Sequence, residues 1–170
     1  MTPAPPHTLI VTGARALTDT KAADAWCMEL LRKHFQGVGR VVAGDARGPD
    51  TWALDMAQGR GLEIVRWDYD GNLFSRRGSE VVRTVWSTDR LPARGDKEGW
   101  RQQYLLRDRR MIEHYGALVK AGQLEASVAA FYAPWATTFG TGYTVAVAHR
   151  VGLPVVEFHC PSEFGVRGES

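Results

Sequence analysis

Five short apolar runs recur along the chain, Thr8–Thr12, Arg40–Gly44, Leu62–Trp67, Ser127–Tyr132 and Pro154–Phe158, with helical periodicity between most of them. Runs of this length, bounded by turn residues, read as buried strands. Asp19 is placed to cap a helix with apolar positions Ala22, Trp26, Leu30, Leu31 and Phe35, stopped by Gly37 and Gly39. Asp50 is placed to cap a second, through Ala53, Met56, Ala57 and Arg60, closed by Gly61. A third helix is expected from Arg101 to Lys120 and a fourth over Thr141–Val151, closed by Gly152. Strands alternating with helices demand crossovers, hence a mainly parallel sheet covered on both faces. The expected fold is a single α/β three-layer domain whose five strands take the order 3-2-1-4-5.

A chain of 170 residues, 44% of them apolar, suits one domain with a real core. The expected division is a lead-in over 1–7, the domain over 8–160 with an insertion at 68–100, and a tail over 161–170. No apolar run approaches membrane-spanning length, so no membrane partner is expected. The N-terminus lacks the basic and apolar regions of a secretory signal. Two cysteines, Cys27 and Cys160, cannot build a disulfide framework, and a reducing, cytoplasmic setting is expected. The five histidines and two cysteines show no ligand spacing, so neither a metal nor a cofactor is expected. There is no G-x-S-x-G elbow, no G-x-G-x-x-G and no Walker sequence.

In a sheet of order 3-2-1-4-5 the chain reverses direction between the first and fourth strands, and ligands sit outside the carboxyl ends of the strands at that point. The segments that meet there are Thr12–Asp19, Gly44–Asp50 and Ala133–Gly142. They read Thr12-Gly-Ala-Arg15, Gly44-Asp-Ala-Arg-Gly-Pro-Asp50 and Thr137-Thr-Phe-Gly-Thr-Gly142. Glycine lets backbone approach a ligand, and helix starts offer free N–H groups to an anion. Gly13, Ala14, Gly44, Gly48, Thr138, Gly140 and Thr141 are thus candidate phosphate contacts. Arg15, Arg47 and Arg107 are candidate sources of charge, and Asp45 and Asp50 candidate readers of ribose or base. Taken singly, these loops also read as plain turns, with Asp50 a helix cap, Arg47 paired to Asp45, and Asp108 a partner for Arg47 or Arg15.

Val11-Thr-Gly-Ala-Arg15, Gly44–Asp50, Arg107-Asp-Arg-Arg-Met111 and Gly140-Thr141 before Gly152-Leu-Pro-Val155 together resemble the SLOG (Smf/DprA–LOG) superfamily, and within it the small YspA-like proteins. The resemblance covers about residues 8–158. It implies a Rossmann-like sheet and a nucleotide or nucleotide-derived ligand, sensed, sequestered or processed. The LOG enzymes of that superfamily cleave the N-glycosidic bond of nucleoside 5′-monophosphates, with an arginine four residues before a methionine and a glutamate after P-G-G-x-G-T. Arg107 precedes Met111 by four, so the resemblance implies a catalytic Arg107 if the chain is such a phosphoribohydrolase. The P-G-G positions, however, read Ala136-Thr137-Thr138, and the glutamate position is Thr144. Glycosidic cleavage wants a carboxylate to stabilise a cationic sugar or activate water, and threonine does neither well. Asp45, Asp50, Asp108 or Glu113 would substitute only if the fold brings one to the ribose. Binding as a sensor or sequestering module is therefore the leading expectation, with the N-glycosidase as alternative.

Net charge is +2, yet residues 73–120 carry 11 basic and 6 acidic side chains. Within the insertion, Tyr69, Phe74, Trp86 and Trp100 interleave with Arg76, Arg77, Arg83, Arg90, Arg94 and Lys97, and Glu80–Trp86 is a plausible extra strand. Such a segment reads as a lid or a hairpin pairing the subunits of a homodimer or higher homo-oligomer. It also admits a third function, single-stranded nucleic-acid binding by stacking and phosphate contacts.

Overall fold

The computed structural model describes residues 7–137 and 139–166; the expected lead-in apart from His7, Thr138 and residues 167–170 of the expected tail lie outside the described residues. The elements are β1 (His7–Gly13), α1 (Lys21–His34), β2 (Val38–Gly44), α2 (Pro49–Gly59), β3 (Glu63–Trp67), β4 (Asn72–Arg77), β5 (Glu80–Val85), α3 (Lys97–Lys120), β6 (Glu125–Tyr132), α4 (Phe139–Arg150) and β7 (Val155–His159). One seven-stranded sheet runs in the order β5-β4-β3-β2-β1-β6-β7. The five strands read from sequence keep their order, now as β3-β2-β1-β6-β7, and pair in parallel.

The strand count is corrected from five to seven. The insertion supplies an antiparallel hairpin, β4 on β3 and β5 on β4. The β4 segment, Asn-Leu-Phe-Ser-Arg-Arg, has little alternation of its own. Its extended form comes from pairing with β3, where Trp67 faces Leu73 and Arg66 faces Phe74, a case of tertiary context overriding weak propensity.

The period of two along each strand divides the core. Leu9 and Val11 join Val41, Ala43, Ala129 and Phe131 on the face covered by α1 and α2. Ile10 lies beside Val42 and Val128 in the ladder and faces α3 and α4, where Met111, Ile112, Val147 and Ala148 close over it.

The helix starts differ from expectation, α4 opening at Phe139 rather than Thr141. Thr20, not Asp19, caps α1, its hydroxyl accepting from the Ala23 amide at 3.1 Å. Gly48 precedes α2 at φ +95°, a conformation glycine adopts without strain, and Pro49 opens the helix. Asp50 therefore sits within the first turn of α2. Asp96 caps α3 by accepting from the Gly99 amide at 2.9 Å, which starts that helix at Lys97 and removes a turn and more from the expected insertion. Beyond β7, a short 3₁₀ turn at Ser162–Gly165 packs Phe164 on the α1/α2 core, and the Phe164 carbonyl accepts from Thr20.

Candidate functional site

Two glycines at strand ends set the geometry of the site. A Cβ on Gly13, at the end of β1, would overlap the Pro49 ring, so glycine there lets the start of α2 close against the sheet. A Cβ on Gly44, at the end of β2, would overlap the guanidinium of Arg107. Arg107 comes from the middle of α3 and is 3% exposed. Its Nε donates to Asp108 Oδ1 at 2.8 Å, and its Nη1 donates to Asp45 Oδ1 at 2.7 Å and to the Trp67 carbonyl at 3.0 Å. One guanidinium thus ties the carboxyl ends of β2 and β3 to α3. Asp45 Oδ2 in turn accepts from the Tyr69 amide at 3.3 Å, drawing in the root of the hairpin.

Three carboxyl groups surround this single cation. Burial favours the neutral form of Arg107, but Asp108, Asp50 and Asp45 outweigh it and hold the guanidinium charged. Burial pushes Asp45 and Asp108 above the usual carboxylate range despite the attraction of Arg107. Asp50, 5% exposed, is pushed up to about 7 by burial, with Asp108 and Asp45 adding and Arg107 and the Ala46 amide opposing. Of the three, Asp50 alone makes no ion pair, so it is the carboxyl group poised to exchange a proton near neutral pH.

A pocket of about 570 Å³ opens at the carboxyl ends of β1 and β6. Among the expected site residues, Gly13, Ala14, Arg15, Asp50, Arg107, Gly140 and Thr141 line it. Gly44 and Asp45 instead face a separate recess of about 400 Å³ beside Arg66, Asp68 and Phe74. Gly48 is buried against the Ala14 carbonyl, and Arg47 is exposed, outside either lining. Thr138 lies outside the described residues. The alternative pairings for Arg47 are not formed; Asp45 and Asp108 both pair with Arg107.

The pocket also has a wall absent from the expected set: Lys97, Trp100, Arg101 and Tyr104 on the first two turns of α3. Their spacing of three, one and three puts them on one helical face, the signal that could have found them had the helix been started four residues earlier. The Trp100 and Tyr104 rings pack on Tyr69 with centroids 5.4 and 5.3 Å away, and the Arg15 guanidinium lies 5.0 Å from the Tyr104 centroid. The result is a polarised cavity. Asp50 and Asp108 lie at one end beside Arg107, while Arg15, Lys97 and Arg101 are exposed around an aromatic wall.

The remaining carboxylates take other roles. Glu113 is exposed and pairs with Arg109 at 3.4 Å. Thr144, at the position where the LOG pattern has glutamate, is 0% exposed, and its hydroxyl donates back to the Gly140 carbonyl at 2.8 Å. It is absent from the pocket lining. The hairpin β4–β5 contributes no residue to this lining, whereas Gly95, Lys97 and Trp100 of the expected insertion do. Its aromatic residues turn inward: Phe74 packs on one core, while Trp86 packs on the other and donates to the Asp68 carbonyl at 2.6 Å.

No family model matches the chain, and none of the curated proteins compared with it matches. The chain is similar to the X-ray structure of DNA processing protein A (DprA) from Streptococcus pneumoniae, with 14% identity and a TM-score of 0.43. The match covers 90% of this chain and 58% of that one, so the chain spans a little over half of that protein's length. Among the described residues no helix is long and apolar enough to cross a membrane.

Proposed function

We propose that the chain binds a nucleoside phosphate in this pocket, as a sensor or sequestering module. The observation that carries the reading is the pocket's polarity. The aromatic face of Trp100 and Tyr104 suits a base, whose stacking on a side chain is worth about 1–3 kcal/mol. Asp50 suits a ribose hydroxyl, which donates to a carboxylate and does not compete for its proton. Arg15, Lys97 and Arg101 around the mouth suit the phosphate. Arg107 holds the site together, since its Nε and Nη1 are already engaged by Asp108, Asp45 and Trp67. The expected macromolecular partner is a second copy of the chain.

Calorimetric titration with nucleosides, nucleoside mono- and triphosphates and inorganic phosphate tests this. Nucleoside phosphates should bind, the matching nucleosides about 10-fold or more weaker, and Arg15→Ala should reproduce that loss. Equal affinity for nucleoside and nucleotide would remove the phosphate from the reading.

One observation favours a second reading. The pKa of Asp50, about 7, suits a general acid or base at neutral pH, and it lines the pocket where Thr144 does not. In an N-glycosidase, water would bond to the anomeric carbon as the C–N bond breaks. Asp50 would take the water's proton, and the departing base would gain one from solvent. Chromatography of nucleoside monophosphates held with the protein decides: released base lost in Asp50→Asn supports turnover, and intact nucleotide leaves binding alone.

A further inference from the structure

Among the described residues the hairpin ends the sheet at β5, whose outer edge has no strand beside it. All six residues of β5 are exposed, and Val81, Val82 and Val85 are 44%, 47% and 50% accessible. Free edges pair with other strands, and proteins commonly block them with proline, lysine or a bulge. The opposite edge, β7, has such blocks: Pro154 precedes it and Pro161 follows two residues after its end. β5 contains neither proline nor lysine, and its pairing with β4 runs unbroken from Glu80 to Val85.

We propose that β5 pairs antiparallel with β5 of a second copy, joining two sheets across a two-fold axis centred on Val82. The strand's own sequence selects this occupant and register. A two-fold normal to the sheet keeps each residue on its face, so the pairing must be centred on a residue. Centring on Arg83 sets two arginines opposite one another, a destabilising pair. Centring on Val81 runs the ladder into Gly78, which turns at φ +61° and cannot extend it. Centring on Val82 keeps the ladder within Glu80–Thr84. It sets Val82 against Val82 of the second copy, Glu80 against the Thr84 hydroxyl, and Val81 against the apolar stem of Arg83. One glutamate and one arginine leave the strand formally neutral, so two copies meet without net repulsion. The proposal stands apart from the ligand reading, because the hairpin lines no part of the pocket.

Sedimentation of the full chain at about 1–100 μM tests it. The chain should sediment as a dimer, and Val81→Pro, which removes an outward N–H while leaving the bonds to β4 in place, should sediment as a monomer with unchanged circular dichroism. Val82→Lys is the second variant should proline disturb the hairpin, and it too should be monomeric. For the register, Val82→Cys should cross-link to itself under mild oxidant while Ser79→Cys should not. A monomeric wild type, a dimer that persists in both Val81→Pro and Val82→Lys, or cross-linking at 79 in preference to 82 would each overturn the proposal.

Discussion

Gly44 and Arg107, brought together from β2 and α3, occupy one space: the guanidinium of the arginine lies where a side chain on the glycine would begin. Gly44→Ala should therefore push Arg107 off Asp45 and the Trp67 carbonyl, leaving a buried charge poorly paired. The expected loss is about 2–4 kcal/mol of unfolding free energy, read as a lower urea midpoint. A loss below 0.5 kcal/mol would mean the guanidinium has room to move.

Asp50→Asn should stabilise the protein, and only above a certain pH. The carboxyl has its ordinary value near 3.9 when unfolded and about 7 when folded. Between these values the folded state holds a proton that the unfolded state has released, so this group's contribution to stability falls as pH rises from about 4 to about 7. Thermal melts should show the variant ahead by about 2–8 °C at pH 8, roughly 1–2 kcal/mol, with the gap closing towards pH 4. A gap independent of pH would refute the ionisation argument.

Thr144→Glu should not create a hydrolase. Thr144 is fully buried on the α4 side, its hydroxyl is bonded to Gly140, and Asp108 is close enough to feel it. A carboxylate there would be buried beside another acid, at a cost of about 3 kcal/mol or more. The expected result is a lower melting temperature with no base released from any nucleoside monophosphate.

Trp100→Ala and Tyr104→Ala should each weaken nucleoside phosphate binding by about 10-fold, while leaving the far-ultraviolet spectrum intact. Because Tyr104 also supports Arg15, its loss should cost more with triphosphates than with nucleosides. Calorimetry of both variants separates the effects; unchanged affinity in both would take the base away from the α3 wall.

The parallel part of the sheet was legible because its inner strands are largely buried on both faces and announce themselves as apolar runs, as Leu9-Ile10-Val11 does. β4 was not, since half of what makes it a strand is β3 alongside. The loops at the sheet reversal were legible from topology, which is why Arg15 and Asp50 lie where expected. Arg47 and Arg107 look alike in sequence, yet one is exposed and the other sealed; only the gap left by Gly44 distinguishes them. The wall of α3 was hidden by a helix start placed too late, past the Asp96 cap.

The knot around Arg107 bears on how such a sequence can drift. Three separated stretches, Gly44-Asp45, Trp67 and Arg107-Asp108, meet through one guanidinium. A lone change at 44, 45 or 107 strands a charge or removes its room, whereas a matched set of changes need not. Descendants of this chain should therefore keep those positions together or exchange them together, and an inherited Gly44 without an arginine at 107 would mark a lineage that has rebuilt the floor of its pocket.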